Sequence, residues 1–132
     1  QILEMLRKKN VRCEVHNAAS AKSKAYFIKC FKANPHAQWI FGIDGLPKES
    51  HMYRINQDGQ KLFDIMVESK KYLIHKPTWQ YIIFSYNENH ILEAKMKAKS
   101  VGVNFMTTQS SRWDGDNDPY RPKNKEVSLN AI

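Results

Sequence analysis

The sequence predicts an α/β protein built on a parallel sheet of alternating β-α units. Helix-period and strand-period segments alternate four times along 132 residues, with short connections between them. The segment WIFGI, residues 39–43, is continuously apolar apart from Gly42, as strands covered on both faces are. Alternation of this kind requires crossover connections, and crossovers pair successive strands in parallel.

The elements follow in order. Ile2, Leu3 and Leu6 recur at helical spacing within residues 1–9, and Asn10 offers a stop. In VRCEVH, Val11, Cys13 and Val15 alternate with polar neighbours, which predicts a strand over 11–16 that ends on Asn17. NAASAKS then supplies a loop and a serine cap. Phe27, Cys30 and Phe31 form the i, i+3, i+4 face of a helix that stops at Asn34-Pro35. After the strand at 39–43, a helix runs from about Gln60 to Tyr72, with Leu62 paired to Met66 and Phe63 to Val67 at four-residue spacing. WQYIIFSY, residues 79–86, is the strongest strand signal, broken by NENH. ILEAKMKAKSVG is a helix with Ile91, Ala94, Ala98 and Val101 inward and Gly102 as its stop, and VNFMTT, residues 103–108, is the last strand. From Trp113 the chain is polar, contains two prolines and has no period, so residues 112–132 are expected to be a polar C-terminal extension.

The chain is long enough for one domain with a real core. No run approaches the roughly 18 to 20 continuous apolar residues of a membrane-spanning helix. Residues 1–10 lack the layout of a secretory signal, and residue 1 reads like the middle of a helix, so the chain is expected to be a fragment. Cys13 and Cys30 lie 17 positions apart with no C-x-x-C pair, the pattern of reduced packing thiols in a cytoplasmic protein. The net charge of +8 invites a nucleic-acid reading, with Trp79, Tyr81 and Tyr86 as stacking candidates. However, the lysines are spread over the helices rather than gathered in one stripe, and the aromatics lie in a segment that reads as buried. A hydrolase reading lacks any paired nucleophile and base.

Parallel α/β sheets bind ligands at the carboxyl ends of their strands. Those ends are His16-Asn17, Asp44-Gly45, Asn87-Glu88 and residues 107–111, all rich in hydrogen-bonding groups; the opposite ends, Asn10, Gln38, Thr78 and Gly102, are turn formers. Asp-Gly after a greasy strand is also ordinary turn chemistry.

The run IDGLPKESHMYR resembles the fourth-strand signature of radical S-adenosylmethionine enzymes, where a strand ending in Ser-Ile-Asp-Gly leads to a Tyr-Arg pair. EVHNAAS resembles that family's third strand, and WQYIIFSYNENHILEAKMKAKSVGVNF its fifth strand, following helix and entry to the sixth. The resemblance covers residues 1–111. It implies the C-terminal half of a partial (βα)6 TIM-like barrel that holds a [4Fe-4S] cluster and S-adenosyl-L-methionine, reduced by a donor such as flavodoxin or ferredoxin, with an unknown substrate. The family's three-cysteine loop and Gly-Gly-Glu segment are not in this sequence and are expected upstream of Gln1. The resemblance makes Asn17, Asp44, Arg54 and Asn87 candidate cofactor contacts, and His16 and Gln109 candidate substrate contacts. The family's Ser before Ile-Asp is Gly42 here, and its Thr before Asn is His16. Arg54, ten positions beyond Asp44, reads as an isolated loop cation whose loss spares the fold.

Overall fold

The computed structural model describes residues 2–110, 113, 115 and 117–124. Its elements are α1 (Ile2–Lys8), β1 (Glu14–Asn17), α2 (Lys24–Ala33), β2 (Gln38–Gly42), a 3₁₀ turn (Ser50–Met52), α3 (Gly59–Ser69), β3 (Thr78–Ile82), α4 (Ile91–Val101) and β4 (Asn104–Thr108). The strands pair in the order β1-β2-β3-β4, each pair parallel. The predicted α/β class and its parallel sheet of alternating units are therefore present. The sheet is open, with β1 and β4 as its edges.

Local chemistry sets the element ends. Ser23 caps α2 by accepting the Tyr26 N–H, and Asp58 caps α3 by accepting that of Lys61. Three differences from the sequence expectation have physical causes. β1 starts at Glu14 rather than Val11, because the Val11 N–H is still bonded to the Leu6 carbonyl of the preceding turn. α3 ends at Ser69 rather than Tyr72, since Lys70, Lys71 and Tyr72 donate three residues back in a tightened last turn. β3 ends at Ile82 rather than Tyr86: the Phe84 N–H turns to the Asn87 side chain, and that of Ser85 goes to the Tyr120 carbonyl.

One face of the sheet carries the core. Trp39, Phe41 and Ile43 from β2 and its exit, with Trp79, Tyr81 and Ile83 from β3 and its exit, pack against α2 (Phe27, Phe31), α3 (Leu62, Phe63, Ile65, Met66) and α4 (Ala94, Ala98). Edge-on aromatic contacts join the layers, Phe31 to Trp39 at 4.8 Å and Phe63 to Trp79 at 5.4 Å. The alternate residues point the other way: Ile40, Gln80, Ile82 and Met106 are half-buried, and Glu14, His16 and Asn104 are exposed. The both-faces cover expected for WIFGI is thus met on one face only within the described residues. Among those residues no helix is long and apolar enough to cross a membrane.

Candidate functional site at the carboxyl rim

β2 leads through buried Ile43 into Asp44, which has no exposure at all. Asp44 Oδ2 accepts from Arg54 Nε at 2.7 Å and Oδ1 from the Ile82 N–H at 2.9 Å, while its carbonyl accepts from the Tyr86 hydroxyl at 2.5 Å. Burial pushes the Asp44 carboxyl above its ordinary range; the Arg54 cation and the Ile82 N–H pull against that rise. The Tyr81 and Tyr86 phenols are likewise pushed up, first by burial and then by neighbouring carboxylates, so both remain protonated donors at neutral pH. Tyr81 donates to the Asn87 carbonyl at 2.6 Å.

Gly45 turns the chain away at φ 117°, a conformation in which a side chain is strained and a Cβ would lie 2.7 Å from Glu49 Cγ. The Glu49 carboxylate anchors the loop that follows, accepting the Leu46 N–H at 2.9 Å and meeting His90 Nδ1 at 2.8 Å. The loop then folds back. Tyr53 stacks on Phe84 at 4.1 Å, and Gln57 Nε2 donates to the carbonyls of Ala18 and Gly42 at 2.7 and 2.9 Å. Between these anchors the Arg54 guanidinium lies over Gly42, where a Cβ would come within 3.1 Å of Nη2. The absence of a side chain at position 42 thus makes room for the arginine. With 29% of its side chain exposed, Arg54 borders an open cleft of about 470 Å³ walled by residues 18–21 and 53–57.

Asp44 and Arg54 therefore form one unit, and the expectation that Arg54 is an isolated loop cation is corrected. Its removal leaves a fully buried carboxylate with one neutral donor, a costly arrangement. Because both Asp44 oxygens are engaged inside the protein, its part is to orient Arg54. Asn87 is also fully buried, its Oδ1 accepting the Phe84 N–H at 2.7 Å and its Nδ2 donating to the Ile82 carbonyl at 3.0 Å, so its amide shapes the β3–α4 connection. Asn17 donates to the Ala19 carbonyl at 3.0 Å within its own loop. His16 is exposed and pairs with Glu14 at 2.6 Å, and Gln109 is exposed beyond β4. Among the described residues no hydrogen bond joins either to the Asp44–Arg54 pair.

Sequence reasoning missed Gln57 and Glu49. Gln57 is 8% exposed, and no pattern marks a glutamine inside a polar turn as a buried clamp. Trp79 and Tyr81 are completely buried, which removes two of the three candidate base-stacking rings. Cys13 and Cys30 are half-buried free thiols, and among the described residues no group of three His, Cys, Asp or Glu side chains could hold a metal ion.

Fold and site together define a parallel β-α sheet whose carboxyl rim carries a buried carboxylate fixing a partly exposed guanidinium. Comparison of the chain with protein-family models, curated proteins and solved structures returns no match.

Proposed function

We propose that this chain is the C-terminal half of a radical S-adenosylmethionine barrel and that Arg54 receives the carboxylate of S-adenosylmethionine at the rim. The observation that supports this reading best is the Asp44–Arg54 pair: a cation one-third exposed, fixed through Nε to a buried anion, at the strand ends where such sheets bind ligands. The strand order adds weight. Barrel-type winding pairs strands sequentially, whereas doubly wound sheets reverse order at a switch point, and β1 to β4 run without reversal.

The rim fits a zwitterionic nucleoside, since Arg54 offers a preoriented charge and the cleft beside it is walled by Ala18, Ala19, Ala21 and Ile55. When reduced, S-adenosylmethionine supplies a 5′-deoxyadenosyl radical that takes hydrogen from a substrate. Asp44, from beneath, holds the guanidinium in the orientation that receives the carboxylate. A four-iron cluster does not fit these residues, because Cys13, just before β1, and Cys30, on α2, are only two thiols and a cluster needs several convergent ones. On this reading the cluster ligands belong to a segment outside the 132 residues.

The test uses a paired substitution, because Arg54→Ala alone strands the Asp44 charge. In the full-length protein, Asp44→Asn with Arg54→Gln removes both charges together and keeps the fold. S-adenosylmethionine affinity measured by calorimetry is expected to fall by about 2 to 4 kcal/mol, roughly 30- to 900-fold, the order for a charge-assisted contact that loses its partner. Unchanged affinity with normal 5′-deoxyadenosine production overturns the reading.

A further inference from the structure

Residues 119–124, part of the segment read from sequence as a polar extension, are docked on the rim. The Ser85 N–H donates to the Tyr120 carbonyl at 2.9 Å and Ser85 Oγ to the Pro119 carbonyl at 2.5 Å. The Glu88 carboxylate, on a residue only 7% exposed, accepts the N–H groups of Lys123 at 2.9 Å and Asn124 at 2.8 Å, so consecutive backbone donors grip one buried anion. These bonds fasten residues 119–124 to the β3–α4 connection, which Asn87 itself makes rigid.

Between the anchors the segment touches the arginine loop. The Tyr120 ring meets Tyr53 edge-on at 5.6 Å and Phe84 at 6.4 Å, and its hydroxyl donates to the Met52 carbonyl at 3.4 Å. Trp113 adds an edge contact to Phe84 at 5.8 Å. Tyr53, directly before Arg54, is therefore held between Phe84, on which it stacks, and Tyr120.

We propose that residues 118–124 are a strap that holds the Met52–Arg54 loop on the carboxyl rim, with Glu88 as its latch and Tyr120 as the contact through which it acts. Both are positioning residues: neither reaches the cleft, and the strap's effect on the site passes through Tyr53 to Arg54. The coupling has a physical basis. If the strap lifts, Glu88 loses the two N–H donors that both its carboxylate oxygens accept from, and Tyr53 loses one of the two rings that pin it, so lifting costs more than the apolar contact of Tyr120 alone. The strap stands apart from the ligand reading, and only its consequence for S-adenosylmethionine rests on Arg54.

Amide hydrogen exchange on the full-length protein tests it, comparing Tyr120→Ala, Tyr120→Phe and Glu88→Ala with the unaltered chain. Tyr120→Ala and Glu88→Ala are expected to speed exchange at least tenfold in residues 50–57 and 118–124 while leaving β2 and β3 unchanged. Tyr120→Phe, which keeps the ring contacts, retains protection. If residues 50–57 stay protected when 118–124 are released, or if protection falls uniformly across the sheet, the strap is overturned. Loosening of 50–57 with unaltered S-adenosylmethionine affinity supports the strap and counts against the Arg54 reading instead.

Discussion

Asp44 sets the character of the rim at the scale of single residues. Its carboxylate is out of water, so the environment that orients Arg54 also raises the cost of the charge that does so. A folded-state pKa above the unfolded one means that the folded chain binds this proton more tightly. Asp44's contribution to stability is then full below the ordinary carboxylate range and is lost as pH rises through the raised folded value. Asp44→Asn does not titrate. The stability of the unaltered protein relative to Asp44→Asn, from urea unfolding, is therefore expected to decline from acid toward neutral pH and level off above that window. A difference that grows with pH instead shows that the Arg54 cation outweighs burial.

At the scale of elements, the rim depends on where β3 stops. The apolar pattern runs on through Tyr86, but hydrophobicity does not say which backbone groups pair, and the ladder ends because Asn87 captures the Phe84 N–H and ties back to the Ile82 carbonyl. Ile82 in turn gives its N–H to Asp44, so one buried amide links the strand end to the site. Asn87→Ala leaves the buried Phe84 N–H without its acceptor and takes a donor from the part-buried Ile82 carbonyl, and is expected to cost about 2 to 4 kcal/mol in urea unfolding. Asn87→Asp does not restore the loss, because it keeps the acceptor for Phe84 but turns a carboxylate oxygen toward the Ile82 carbonyl. A loss below about 0.5 kcal/mol for Asn87→Ala, within the range of ordinary surface changes, counts against this role.

Across the whole molecule, stability is graded from the two central strands outward. Phe41 and Tyr81 are completely buried between the sheet and its helices, whereas α1 contributes no buried residue and exposes Ile2 and Met5. Amides of β2 and β3 are expected to exchange only through global unfolding, and those of α1 through local fraying, at least a hundredfold faster. Equal protection in α1 and β3 shows a cooperative unit larger than the core cluster.

The sequence alone determined the α/β class, the alternation that makes the sheet parallel, the inward faces of the helices and the gathering of polar groups at the carboxyl ends of the strands. These are legible because hydrophobic period, caps and turn residues act over a few positions. Only tertiary structure decided that Arg54 is tied to a buried carboxylate, that Gln57 clamps the β1 and β2 exits, that Asn87 is internal and that Lys123 and Asn124 bind Glu88. Apart from the Arg54 pair, ten positions apart, and Asn87's own short-range bonds, these contacts join residues 15 to 39 positions apart. No local pattern encodes such pairings, because a polar side chain in a loop looks the same in sequence whether it meets water or a buried partner, and only the packing of the sheet brings that partner within reach.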